Sequence, residues 1–514
     1  MSDKGSLPRR AIASRTLLPI LLAVSAFLAF GAWAFASPPG GGADEDFHLV
    51  SVWCANEART DLCAPGATAA TREVGESLVD IKECFAFDAA RSAACQDLSD
   101  SSPDTETRRG NFAGGYPPVY YALMNPFAST DIAVSAVTMR LVSVVILLGL
   151  VGALWWLLPA GRRGTLLLTW LVIAVPMGAS LVASNNPSGW AVIGAGTLWL
   201  AVLGYLEAST RGRMIGLFSV AAVSTVLAAG SRGDAAVYSI IAVGIGSVLA
   251  LRKDRIVLMR MLPLLALVLV AIVCFLSAAG QVASGVEGFS GWKNDRGEGL
   301  EAVDPVAQLL PNLLNLPVLW NGAISGSWGL GWQDVTLPQL AQFLVLIAFL
   351  GVLFFGLGRT GWRKALMLTG VAAMLVVVPL YVLFKSEAWV GQAVQPRYLV
   401  PLVVLLLGVA LTNERSDRAL RLSLAQSVVL GVTLVVAYAL DLHAMIRRYT
   451  TGLDVGGLNL DARAEWWWAV APSPMAVFAV GTVAFAAAAT AALALVRRES
   501  RSALTGARGA ELVR

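Results

Sequence analysis

Charge is scarce in this chain. Only 14% of its 514 residues are Asp, Glu, Lys or Arg, where soluble domains carry about a quarter. That deficit, beside 57% hydrophobic residues, excludes a water-surrounded globule for most of the length. Histidine occurs twice, at His48 and His443, in different segments. No HExxH pattern, P-loop or glycine-rich nucleotide fingerprint is present, which argues against a zincin-type metal centre and against direct use of ATP or a nucleotide sugar. No metal site is therefore assigned, no cofactor is required by the sequence, and a divalent cation is left open. Lysine is rare, six of the 38 basic residues, and the arginines stand in short clusters between apolar runs. Such clusters are topology signals, so the net charge of +4 is not read as a nucleic-acid surface, and no nucleic-acid partner is expected.

What is present is a series of apolar runs, each near the roughly 20 residues that one helical crossing of a bilayer needs. Twelve are read: Leu17–Ala36, Ile132–Leu158, Leu166–Ala183, Trp190–Leu206, Ile215–Ala229, Ala235–Leu251, Met261–Ala279, Leu340–Leu357, Leu366–Phe384, Tyr398–Leu411, Leu424–Leu442 and Met475–Val496. The fold class is an all-α polytopic membrane protein. The first run ends in Ala34-Phe35-Ala36, which resembles a signal-peptidase site. At about 20 residues it exceeds the usual signal length, and it is read as a retained first helix.

Every second connection is basic: Arg162 and Arg163; Arg211 and Arg213; Arg252, Lys253 and Arg255; Arg359, Arg363 and Lys364; Arg415, Arg418 and Arg421; Arg497, Arg498 and Arg501. The positive-inside rule places these loops and both termini in the cytoplasm. The expected division is a cytoplasmic N-terminus (1–16), the first helix (17–36), an extracytoplasmic loop or cap (37–131), helices two to seven (132–279), a second extracytoplasmic loop (280–338), helices eight to twelve (339–496) and a cytoplasmic tail (497–514). The location expected is the plasma (inner) membrane, with the working surface outside and membrane lipids as neighbours.

Five cysteines are present. Cys274 lies in an apolar run. Cys54, Cys63, Cys84 and Cys95 share one exported polar segment, where an even count points to two disulfides. Sequential pairing, Cys54 with Cys63 and Cys84 with Cys95, is expected among three connectivities. The middle of that segment, Thr68 to Leu98, has helical character.

Chemistry-capable residues gather in the outer connections. Asp44, Glu45, Asp46 and His48 follow the first helix. Carboxylates there can serve as general bases, or can simply start a cap helix. Tyr116-Pro117-Pro118-Val119-Tyr120-Tyr121 reads as an interfacial anchor or as an aromatic platform for a sugar or lipid. Asn185 and Asn186 precede a helix and read first as caps. Arg232 with Asp234, Gln395 with Arg397 and Tyr398, and Arg447 with Arg448 and Tyr449 are outward arginines. A guanidinium fork suits phosphate, and snorkelling to headgroups is the plainer reading. The second long loop holds Lys293-Asn294-Asp295-Arg296 and Gly329-Leu330-Gly331-Trp332-Gln333-Asp334.

In order along the chain, Asp44-Glu45-x-x-His48, Tyr116-Pro117-Pro118-x-Tyr120-Tyr121, Asn186-Pro187-Ser188, Gly331-Trp332-x-Asp334 with Leu337-Pro338, Gln395-x-Arg397-Tyr398-x-x-Pro401 and Arg448-Tyr449-x-x-Gly452 resemble a bacterial family of predicted membrane proteins, domain-of-unknown-function family 2142. That family resembles the GT-C superfamily of polyprenyl-phosphate-sugar glycosyltransferases, whose catalytic acid lies in the first extracytoplasmic loop. The resemblance implies an inverting transferase moving a sugar from a polyprenyl-phosphate donor to an envelope glycan, glycolipid or protein. Asp44 would be the base, with Glu45 and Asp46 as rivals, because Gly42 and Ala43 replace the residues usual before the acidic pair. His48, Tyr116, Tyr120, Asn186, Arg232, Asp234, Trp332, Asp334, Gln395, Arg397, Tyr398, Arg448 and Tyr449 would line the substrate site. The alternative is a transporter or flippase of lipid-linked glycans, which calls for ionisable residues inside the helices, where the runs look almost free of charge. A glycan polymerase or ligase is a third reading.

Overall fold

The computed structural model describes residues 9–252, 254–278, 280, 281, 283, 305–358, 360–413, 419–469 and 472–511. The expected basic residues Lys253, Arg359, Arg415 and Arg418, and the Lys293–Arg296 cluster, lie outside these.

Helix α1 (Arg9–Phe35) leads into a polar cap. The cap contains α2 (Glu45–Trp53), strands β1 (Ala64–Pro65) and β2 (Arg72–Val74), α3 (Glu76–Val79), β3 (Thr105–Thr107) and α4 (Val119–Met124). The three strands form an antiparallel sheet in the order β1-β2-β3. The bundle continues with α5 (Ile132–Leu157), α6 (Ala160–Ile173) and α7 (Ala179–Val182), the last two joined by a π-turn at Ala174–Gly178. Then come α8 (Pro187–Glu207), α9 (Arg211–Ala229), α10 (Gly233–Ala250), α11 (Arg255–Met261), α12 (Leu264–Ser277), α13 (Pro305–Ser325), α14 (Gln339–Leu357), α15 (Trp362–Lys385), α16 (Val400–Leu411), α17 (Leu424–Thr450) and α18 (Pro474–Glu511).

Among the described residues eleven helices are long and apolar enough to cross a membrane. The expected tenth crossing is a shorter apolar helix, Pro396–Leu411, which begins as a 3-10 turn because Pro396 and Pro401 remove backbone donors. The loop expected over 280–338 is not all loop: α13 occupies Pro305–Ser325 and packs on α14 and α15. The middle of the cap is turns, short strands and one four-residue helix rather than helical. Gly75, with Asp80, Asp88 and Ser92, favours turns over a continued helix there. Both disulfides pair sequentially, Cys54–Cys63 and Cys84–Cys95.

Helix α8 is buried from Pro187 to Leu206 and packs on α9 and α10. Small residues let backbones approach there: a Cβ on Gly246 would stand 2.6 Å from the Trp199 carbonyl oxygen. Apolar side chains cover the outside instead, among them Leu269, Leu276 and Phe354. That inversion suits a hydrocarbon solvent, where packing rather than apolar burial holds helices together.

Consecutive connections alternate between the cap end and the opposite end. At the opposite end Arg162 on α6 pairs with Glu207 at the end of α8 (2.6 Å) and donates to the Asn413 carbonyl. At the cap end α17 runs two turns beyond the expected Leu442, to Thr450. His443, Arg447, Arg448 and Tyr449 are therefore helical rather than part of a following loop.

Candidate active site at the cap end

The segment between α1 and α2 contains Pro38, Pro39 and three consecutive glycines. Such a chain has little local structure to keep it in one shape. Its shape is imposed from outside, carbonyl by carbonyl. Buried Arg140 on α5 donates to Ser37 and Pro38 (2.7 and 2.8 Å). Gln96 donates to Pro39 (2.8 Å), Trp332 Nε1 to Gly40 (2.9 Å) and Tyr449 Oη to Gly41 (2.6 Å). The Glu45 amide donates to Gly42 (3.1 Å), and Asn186 Nδ2 to Ala43 (2.7 Å). Every carbonyl from Ser37 to Ala43 is thus bonded.

This turn delivers Asp44 at the N-cap of α2 in a left-handed conformation, φ 56° and ψ 15°. An N-cap Asp usually bonds back to the helix amides. Asp44 makes no such bond. Its Oδ2 accepts from Arg397 Nη2 at 2.6 Å, and its Oδ1 lies 3.7 Å from Arg109 Nη2 of the cap. One third of the side chain remains exposed. Left-handed backbone at a non-glycine residue is a form of local strain that concentrates at functional sites.

The two rival acids are held elsewhere. Glu45 is fully buried, accepts twice from Arg140 Nη2 (2.8 and 3.1 Å) and accepts the Asn185 amide (2.7 Å). Asp46 receives Arg109 (2.8 and 3.2 Å) and Lys82 (3.1 Å). Burial pushes the Asp46 carboxyl up, but the hydrogen bond and charge of Arg109, with Lys82, outweigh it and hold the group below the usual carboxylate range. Both acids are struts, and Asp44 alone of the three presents its carboxylate to the arginine of the facing helix.

Beyond Arg397 lies an aromatic and cationic group. The Arg397 guanidinium is 5.1 Å from the Tyr398 ring centre, and that of Arg232 is 4.6 Å from the same ring and 5.8 Å from Tyr116. Arg232 is oriented by Asp234 (2.9 and 3.0 Å) and Ser188 Oγ (3.2 Å). Arg397 Nε is buried without a partner among the described residues. His48 is buried and bonded through Nδ1 to Tyr121 Oη (3.0 Å). Burial, then the charges of Arg232 and Arg397, hold its imidazole well below the usual histidine range, hence neutral. Burial pushes the Tyr116 phenol up to about 12. A partly polar cavity of about 60 Å³ opens beside Arg397; Ser180, Ser184, Asn186, Gln333 and Gln395 line it together with Trp33, Met177, Leu330 and Met445.

The expected substrate residues therefore divide. Asp44, Tyr116, Arg232, Asp234, Gln395, Arg397, Tyr398 and Asn186 surround one place. Trp332, Asp334, Arg448 and Tyr449 stand behind it as a clamp. Arg448, fully buried, donates to Asp334 (2.6 Å) and to the carbonyls of Phe85 and Arg91 (2.7 and 2.5 Å), and so ties α17 to the disulfide-closed loop of the cap. Tyr120 is buried against Trp190, 5.0 Å between ring centres. These side chains, like Glu45, are buried among protein neighbours.

Three residues escaped the sequence reading. Arg140 and Asp441 are ionisable groups inside helices whose apolar runs look almost free of charge. Arg140 is the strut described above, and Asp441 on α17 is fully buried with neither carboxylate oxygen bonded among the described residues. A single charged residue in an apolar run was the signal for each. Arg109 is the third, and nothing in its polar surroundings marks it. Among the described residues no group of three or more His, Cys, Asp or Glu could hold a metal ion.

A family model described as a predicted membrane protein, domain-of-unknown-function family 2142, matches residues 27–406. No curated protein matches the chain.

Proposed function

The chain belongs to domain-of-unknown-function family 2142, a family of predicted membrane proteins, and for this member we propose a GT-C-like inverting glycosyltransferase that takes a sugar from a polyprenyl-phosphate donor. The observation that carries this reading is the 2.6 Å pair between Asp44 and Arg397, made by a turn whose every carbonyl is braced. An acid and a phosphate-type cation stand side by side, which is what displacement at an anomeric carbon beside a phosphate leaving group needs. The basic connections at the end opposite the cap support an orientation with this site outside the cytoplasm.

In the reaction the acceptor hydroxyl attacks the anomeric carbon, its proton passes to Asp44, and the bond from that carbon to the phosphate oxygen breaks. The electron pair leaves with the polyprenyl phosphate, and the anomeric configuration inverts. Arg397 binds the donor phosphate and stabilises the charge that grows on it, while Arg232 adds positive potential nearby. Before the donor arrives Asp44 occupies Arg397. The phosphate displaces it, and the carboxylate is released as base beside the anomeric carbon. Asn186 and the polar cavity provide hydroxyl and amide partners for a sugar.

General-base action contributes about 10²–10⁴-fold. Asp44→Asn should lower transfer by that factor with folding unchanged, read as radiolabelled sugar moved from the lipid fraction to envelope material. A deletion strain should lose a glycan linkage and accumulate polyprenyl-phospho-sugar. Normal transfer by Asp44→Asn removes Asp44 from the base role, and an unchanged envelope removes the transferase.

The second reading is a transporter or flippase of lipid-linked glycans, and Asp441 favours it, because an unpaired acid inside a membrane helix is a feature of translocation paths. The readings separate on the product: a flippase moves the lipid-linked sugar without breaking its bond to phosphate.

A further inference from the structure

Arg397 lines one cavity and its chain neighbour Tyr398 lines another, and the walls of the two differ in kind. The polar one has been described. The other, of about 250 Å³, is lined by Tyr116, Arg232, Tyr238 and Tyr398 together with Val378 and Val382 of α15. Arg232 caps α10 at the cap end, and Tyr238 lies six residues further along the chain. Val382 and Val378 descend similarly from the cap-end terminus of α15 at Lys385. At 1.5 Å per residue the cavity runs roughly 10 Å from the level of the guanidiniums toward the middle of the bundle. Neighbouring Val377 and Tyr381 are exposed on the outside of α15, where the lipid would be.

We infer that this cavity holds the phosphate-proximal part of a lipid's hydrocarbon chain, with the phosphate at its upper end between Arg232 and Arg397. The inference rests on the proposed lipid-phosphate substrate and assigns its path: the chain lies between α10 and α15, and the sugar points the other way, into the polar cavity. Charge complementarity selects the occupant. In the free protein Asp234 balances Arg232 and Asp44 balances Arg397. Asp234 keeps Arg232 oriented with N–H groups to spare, while Asp44 is the partner that a phosphate displaces. A free phosphate would satisfy the arginines and leave the valine-lined length empty, and a prenyl alcohol would fill the length and leave the arginines as they were.

The test is photolabelling of the full-length protein in detergent with farnesyl phosphate carrying a diazirine on its first isoprene unit, followed by peptide mapping. Label is expected on α10 near Tyr238 and on residues 378–399, displaced by farnesyl phosphate at concentrations at least about tenfold below those of inorganic phosphate or farnesol, since apolar burial and charge pairing then act together. Val382→Trp, which fills the cavity, should weaken farnesyl phosphate about tenfold and leave inorganic phosphate unchanged. Saturable label that Arg397→Gln abolishes but that maps away from α10 and α15 overturns the groove and leaves the lipid-phosphate reading standing. Absence of any saturable label overturns both.

Discussion

At the scale of single residues, the three consecutive acids Asp44, Glu45 and Asp46 show how neighbours in sequence acquire different work. Helix geometry turns Glu45 and Asp46 about 100° apart, and the left-handed N-cap sends Asp44 in a third direction. Asp44 reaches Arg397, Glu45 turns to buried Arg140, and Asp46 faces Arg109 and Lys82. Removing one partner of a buried ion pair costs about 3–5 kcal/mol. Glu45→Gln should therefore lower stability by that amount in thermal unfolding, whereas Asp44→Asn should unfold close to the parent temperature. The Asp-Glu-Asp run was legible as a site, but the base among the three was not, since its identity depends on which cation each carboxylate meets.

His48 gives a pH dependence with a defined sign. Its folded pKa lies well below the ordinary value near 6.5. Between those values the unfolded chain binds a proton that the folded chain refuses, so stability falls as the pH drops below about 6.5. Thermal unfolding from pH 8 to 5 should show that slope, and His48→Gln should flatten it.

At the scale of elements, the cap is tied down by its own crosslinks and by the bundle beneath. The loop closed by Cys84–Cys95 presents the Phe85 and Arg91 carbonyls to Arg448. Opening it frees the chain that Arg448 grips, and with it the Asp334–Trp332 arm that holds Gly40. Replacing both cysteines by serine should cost about 2–4 kcal/mol and speed hydrogen exchange in residues 85–91 before the helices are affected. Two disulfides could be anticipated from an even cysteine count in one exported segment, with sequential pairing one of three connectivities. The strands and turns between the cysteines could not, because short segments there hold their shape through distant partners such as Gln96 on Pro39.

At the scale of the whole molecule, the basic clusters and the cap stand at opposite ends of the bundle, which sets up a topology experiment. With Cys274 replaced by Ser, Leu458→Cys, 84% exposed at the cap end, should react with a membrane-impermeant maleimide in intact cells. Arg211→Cys, exposed at the opposite end, should react only after lysis. The reverse pattern would place the proposed site in the cytoplasm.

The sequence by itself determined the membrane class, the positions of most crossings and the alternation of basic loops, because each is a local count of apolar or charged residues along about 20 positions. It also named the residues that meet at the cap end. Only the tertiary structure decided which of them touch one another. Arg397 and Asp44 lie 353 positions apart, and Arg448 and Asp334 lie 114 apart. Whether a side chain braces a turn or faces a cavity depends on what packs against it, and burial of that kind is a property of the assembled helices that no local pattern encodes.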